Sequence, residues 1–142
     1  MDSKIIGIIE NVVFPDFDNL EIDAKIDTGA YTGALHSTNI HVERKNDKKV
    51  LFFSPFDHPE IVHKTNDFKV GNVKSSNGHI QERYFIKTRV NVRGNIYPIT
   101  LTLTDRSEMR SQLLIGRRFL AAYDFLVDVK QTSGISLAEK DD

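Results

Sequence analysis

The 142-residue chain contains no cysteine, which excludes disulfides and thiolate metal sites. It also lacks any uninterrupted apolar run near the roughly 20 residues of a membrane span, and the acidic Asp2 is a poor start for a secretory signal. A soluble cytoplasmic protein with no membrane partner is expected. There is no excess of basic charge, since 19 Lys and Arg face 20 Asp and Glu. That balance argues against the uniformly basic surface of a general nucleic-acid binder, so no nucleic acid is expected as partner. Internal repeats, low-complexity segments and linkers are absent too. The expectation is one domain over residues 1–130, long enough to bury a core without staples, and a polar tail over 131–142 that frays.

What is present is β patterning. Lys4 to Val13 is rich in β-branched residues and reads as a terminal strand, and Phe14 to Asn19 carries turn chemistry. Leu20, Ile22, Ala24 and Ile26 then alternate with charged residues, the period of a strand with one buried face. Residues 34–43 form another strand, Arg44 to Lys49 a charged turn, and Val50 to Phe53 a return to the core. Ser54 to Asp67, with Pro55 and Pro59, reads as a surface excursion. Phe68 to Val92 is a long hairpin turning at Ser75-Ser76-Asn77-Gly78, because Asn and Gly tolerate positive φ. Tyr97, Ile99, Leu101 and Leu103 alternate with polar residues, Asp105 to Gln112 connects, and Leu113 to Gly116 is a short buried strand. Only Arg117 to Tyr123 reads as helix, and Phe125 to Val129 closes the sheet. Many short strands and one late helix indicate an all-β barrel or sandwich.

The chemistry centres on Lys25-Ile26-Asp27-Thr28-Gly29-Ala30. An anchored strand runs out at Asp27, Thr28 supplies a hydroxyl, and Gly29 lets a backbone N–H approach the carboxylate with no side chain between.

Asp27-Thr28-Gly29-Ala30, followed 86 residues after Asp27 by Leu113-Leu114-Ile115-Gly116-Arg117 and a short helix, resembles the retropepsin arrangement of aspartic peptidases. Through Ala24 to His36, Ser75-Ser76-Asn77-Gly78 with Glu82-Arg83, and Leu114-Ile115-Gly116-Arg117, the chain resembles more narrowly, over about residues 5–129, a bacterial and archaeal family of retropepsin-like proteins. These have been labelled ATP-dependent zinc proteases, and they accompany or fuse to ATP-grasp ligases that add glutamate to proteins. The resemblance implies a closed all-β barrel with one short C-terminal helix, and a homodimeric aspartic endopeptidase in the cytoplasm. One Asp-Thr-Gly per chain requires a twofold partner, because the chemistry needs two carboxylates sharing a proton. Asp27, Thr28 and Gly29 would be catalytic: Asp27 as acid or base, Thr28 bracing the two loops, Gly29 presenting its N–H. Ala30 and the flap residues Ser76, Asn77 and Gly78 would contact substrate, and residues 4–10 and 124–129 would complete the dimer. No cofactor is implied. Retroviral members follow Asp-Thr-Gly-Ala with an acidic residue that pairs with the arginine after the apolar strand. Here that position is Tyr31, which leaves Arg117 unpartnered at the level of sequence.

Arginines 83, 89 and 93 alternate along one hairpin arm, and Arg106, Arg110, Arg117 and Arg118 surround the Leu113–Gly116 strand. Arg83 and Arg89 are candidate substrate-binding residues, since guanidinium groups take carboxylates in a bidentate fashion. The family's association with glutamate ligases makes a polyglutamylated peptide or protein the candidate substrate and such a ligase a candidate partner. The alternative to the arginines' role is a solvated strand face. Histidines 36, 41, 58, 63 and 79 lack zinc-peptidase spacing, so no metal site is assigned. Two further readings stand beside the peptidase: a non-catalytic dimerisation or binding module partnering a ligase, and a zinc-dependent peptidase.

Overall fold

The computed structural model describes residues 4–74, 78–106 and 109–132. Its strands are β1 (Lys4–Phe14), β2 (Leu20–Ile26), β3 (Gly33–Lys45), β4 (Lys48–Pro55), β5 (His63–Thr65), β6 (Phe68–Lys74), β7 (Ile80–Val92), β8 (Asn95–Thr104), β9 (Leu113–Ile115) and β10 (Phe125–Thr132). A 3-10 turn, Pro15–Phe17, follows β1, and the one α-helix among the described residues, α1 (Arg117–Ala122), precedes β10. The ladder runs β10-β1-β2-β9-β3-β8-β7-β6, and a further pairing of β1 with β7 through Val12 and Val13 returns it on itself. Strands β1, β2, β9, β3, β8 and β7 therefore close a six-stranded barrel, as the resemblance implied. β10 and β6 extend it at either end, and β4 and β5 branch from β3.

Alternation fills the barrel. Leu20, Ala24 and Ile26 of β2, Ile86, Thr88, Val90 and Val92 of β7, and Tyr97, Ile99, Leu101 and Leu103 of β8 are all buried, in one hydrophobic cluster apart from Thr88. Tyr97, Phe119, Tyr123 and Phe125 pack ring to ring, with centroids 4.9–5.7 Å apart, and fasten α1 and β10 to the barrel.

Three segments differ from expectation. The charged turn is only Asn46 and Asp47, both at positive φ. That is the two-residue geometry matching strand twist, so β3 and β4 extend through the charged residues to Lys45 and Lys48. The segment from Ser54 is not wholly a surface excursion. Ser54 and Phe56 are buried, and Phe56, at φ 56°, packs its ring 5.8 Å from that of Phe14. Pro55 and Pro59 broke the periodicity that would have revealed a buried aromatic there. β10 continues to Thr132, taking Gln131 and Thr132 from the expected tail. Ser75, Ser76 and Asn77 lie outside the described residues.

Where β1 bends, Gly7 approaches β10 so closely that a Cβ would collide with the Gln131 carbonyl. Its N–H donates 2.9 Å to Glu10 Oε1, and Arg93 Nε and Nη2 donate to the same buried carboxylate at 2.9 and 3.1 Å. Arg93→Ala would remove the guanidinium that neutralises that charge and leave it the Gly7 N–H. The expected cost is about 2 kcal/mol, below the roughly 3–5 kcal/mol of a fully enclosed pair, because Arg93 is part-exposed and water can replace it in part. Urea unfolding should show a lowered midpoint at unchanged slope; an unchanged midpoint would mean Glu10 does not depend on Arg93.

Candidate active site

β2 and β9 run parallel, with Lys25 opposite Leu114 and Ile26 opposite Ile115. The ladder's last bond is Asp27 N–H to the Ile115 carbonyl at 2.8 Å, so the Asp27 side chain emerges one residue past a buried strand. Ala30 N–H closes the turn onto the Asp27 carbonyl at 3.2 Å, and Gly29 N–H donates 3.0 Å to Asp27 Oδ1. Asp27 is half-buried, while Thr28, Gly29 and Tyr31 are exposed.

Helix α1 holds this loop from behind. Its first N–H groups have no partner within the helix; those of Arg117 and Arg118 donate to the carbonyls of Ala30 and Tyr31 at 2.8 and 2.9 Å. Gly116 makes the approach possible, since a Cβ there would lie 2.5 Å from the Tyr31 oxygen and 2.7 Å from that of Ala30. The Arg117 side chain finds the partners the sequence left open. Nη1 donates to the Gly29 and Thr28 carbonyls at 3.2 and 3.4 Å, and the guanidinium sits over the Tyr31 ring, 5.4 Å from its centroid. Backbone carbonyls and an aromatic face thus serve where a retroviral acidic residue would.

A second set of residues reaches the loop from β7 and β8. Buried Thr102 donates its hydroxyl to the Gly33 carbonyl at 2.9 Å, and Arg83 Nη1 donates to Thr102 Oγ1 at 3.4 Å. Gly33 itself pairs with Ile115, the residue that receives the Asp27 N–H. Arg106 is half-buried; burial pulls its guanidinium below the usual arginine range and the nearby Asp27 charge opposes this. Arg83 is lowered as well, first by burial and then by the positive charge of Arg106.

Arg106 is located by His36, which is fully buried. Arg106 N–H donates 2.8 Å to His36 Nδ1, so that nitrogen carries the lone pair, and Nε2–H donates 3.0 Å to Asp57 Oδ1. A hydrogen bond from Gln112, and then the one from His36, holds the Asp57 carboxyl below its usual range.

Of the sequence candidates, Asp27, Thr28, Gly29 and Ala30 form one loop, and Arg83 reaches it through Thr102 and Gly33. Arg89 does not join them. It grips Asp16 with Nε and Nη2, the shorter contact 2.6 Å, and stands six residues along β7, about 20 Å from Arg83 at strand rise. Gly78, at φ 87°, lies in the β6–β7 turn, and Ser76 and Asn77 fall outside the described residues. His41 and His58 bond to Glu43 and Glu60, and His63 packs against Phe17 and Phe53 with burial lowering its pKa. Among the described residues no three His, Asp or Glu side chains group as metal ligands. Thr102 and His36 were not marked as site residues by the sequence, where Arg106 stood only among the arginines around the Leu113–Gly116 strand; Thr102 and Arg106 also continue the polar face of β8.

The sequence matches, over residues 5–135, the family model described as RimB-like, retropepsin-like aspartic endopeptidase RimB. The chain belongs to this RimB-like family. It is also 33% identical over 147 residues to a probable alpha-L-glutamate ligase of Shewanella pealeana, covering 99% of this chain and 31% of that protein. A protein of the same name from Shewanella halifaxensis is 30% identical over 158 residues, with 98% and 34% covered. The chain thus spans about a third of the length of these curated relatives. A crystal structure of a Legionella pneumophila protein of unknown function superposes with a TM-score of 0.72 at 26% identity, covering 92% of this chain and 97% of that one. Among the described residues no helix is long and apolar enough to cross a membrane.

Because Gly116 touches loop carbonyls rather than flexible side chains, Gly116→Ala should push α1 and the Asp27 loop apart. The expected loss is about 2–3 kcal/mol, at the upper end for overpacking, read as a drop in unfolding free energy. Wild-type stability in this variant would show that the loop does not rest on the helix.

Proposed function

We propose that the protein is a homodimeric aspartic endopeptidase that shortens glutamate-rich tails, with Asp27 as the acid of each protomer. The observation that carries this is the loop itself: a carboxylate fixed by its own Gly29 N–H, braced from behind by α1, with Thr28 and Gly29 left exposed. One such carboxylate is half of an aspartic centre. Twofold pairing would supply the other and, at close range, the two would share a proton. The ionised member would then take a proton from water while its protonated mate polarises the scissile carbonyl. Support for pairing comes from β10, at the end of the sheet order, and from Ile5, Leu126 and Val129, large apolar side chains 51%, 55% and 71% exposed along β1 and β10. The glutamate part of the reading rests on the relatives named as glutamate ligases.

That same likeness favours a second reading, a binding module that works beside a ligase without cleaving anything. Asp27→Asn separates the two. Under the first reading, wild-type protein shortens a glutamylated peptide, seen by mass spectrometry. The variant leaves it intact, and both sediment as dimers. A wild-type protein that leaves the peptide whole across acid to neutral pH would remove the catalytic reading and leave the module.

A further inference from the structure

The arginines of this chain fall into two kinds. Arg89 and Arg93 each hold a carboxylate with two nitrogens, Asp16 and Glu10 respectively, and are neutralised. Arg83 and Arg106 have no carboxylate at ion-pair distance among the described residues. Arg83 spends Nε on Gln81 Oε1 at 2.9 Å and Nη1 on Thr102 Oγ1 at 3.4 Å; Arg106 spends Nε on the Ser111 carbonyl at 2.9 Å. A guanidinium has five N–H donors, so both retain unused ones.

Their contacts bring the two toward one end of β8. The β7–β8 ladder stops at Phe85 opposite Thr102, and Arg83, two residues past it, still reaches Thr102 Oγ1, while Arg106 follows Thr104 by two residues and bonds through its N–H to His36, the β3 residue paired with Thr104. Two half-buried cations side by side repel each other and have lost part of their hydration. The negative charge of Asp27 acts on Arg106, yet neither arginine is ion-paired among the described residues. The ligand that best relieves this is an anion able to accept paired N–H bonds from planar guanidinium groups, as a carboxylate does.

We infer that Arg83 and Arg106 form a subsite for the side-chain carboxylate of a substrate glutamate beside the bond whose hydrolysis Asp27 promotes. The assignment rests on the proposed peptidase reading for its position relative to a scissile bond. Twofold pairing repeats the subsite on the other side of that bond. The substrate is therefore a run of acidic residues cut internally, not one with a single acid at its end. His36 is a positioning residue here, through the Arg106 N–H it receives.

The test uses the full chain carrying Asp27→Asn, so that binding is read without turnover. Calorimetry with blocked tetraglutamate and tetraglutamine should show a clear preference for the former. Adding Arg83→Gln or Arg106→Gln should weaken tetraglutamate at least about tenfold, the scale of lost charged hydrogen bonds, while leaving tetraglutamine unchanged. Arg83→Lys should recover part of the loss. Equal affinity for the two peptides overturns the subsite without any arginine variant. So does an Arg83→Gln or Arg106→Gln protein that binds tetraglutamate as its parent does. If tetraglutamate binds through the arginines but wild-type protein cleaves nothing, the subsite stands and the catalytic reading falls. If wild-type protein cleaves with no preference for acidic neighbours, the reverse holds.

Discussion

The geometry of the site depends on one contact, the meeting of the α1 N-terminus with the carbonyls of the Asp27 loop. A six-residue helix has little dipole to offer, but the N–H groups of its first turn need acceptors, and the loop needs donors for carbonyls that face inward. Arg117 and Arg118 N–H to Ala30 and Tyr31 satisfy both at once. Gly116 is required because the backbones approach to a distance that no Cβ would allow. The loop is thus fixed by the helix backbone and by the Arg117 side chain, with Asp27 half-buried and Thr28 and Gly29 exposed. In the proposed peptidase such preorganisation would place the reacting groups before anything binds.

A second layer ties the rest of the molecule to that loop. His36 is a joint among three segments. Its backbone N–H donates to Gln112, its carbonyl accepts from Phe56, and its ring bridges Asp57 and the Arg106 N–H. A fully buried imidazole with both nitrogens used has one tautomer and one orientation, so Arg106, just beyond β8, is held to the barrel by its backbone N–H. The Arg106 side chain owes its place to this joint, while that of Arg83 comes from strand register.

Alternation made the barrel strands legible, and Asp-Thr-Gly-Ala with the later Leu-Ile-Gly-Arg marked the centre. Both signals are local, a period of two or a tripeptide at a strand end. What was not legible was pairing between distant segments. Arg117 had no acidic partner in sequence because its partners are carbonyls and a ring, which leave no charge signature. Arg83 and Arg89 share a strand face and read alike. Whether an arginine is neutralised depends on Asp16 and Glu10, brought from 73 and 83 residues away by barrel closure. Phe56 was hidden by its flanking prolines and by a positive φ that no periodicity encodes.

The same point governs the electrostatics. A net charge of −1 over 142 residues argues against a general polyanion binder, and it does so by averaging. Binding is decided by the charges that share a surface within about a Debye length, roughly 8–10 Å in physiological salt. Ion pairs at Asp16 and Glu10 remove Arg89 and Arg93 from that local sum, whereas Arg83 and Arg106 hold no carboxylate in an ion pair among the described residues. In the proposed dimer a shared proton would lower the negative charge of the two aspartates, near four arginines that hold no carboxylate in an ion pair among the described residues. A near-neutral protein would then present a positive site, one that draws a chain of carboxylates to the acids that cut it.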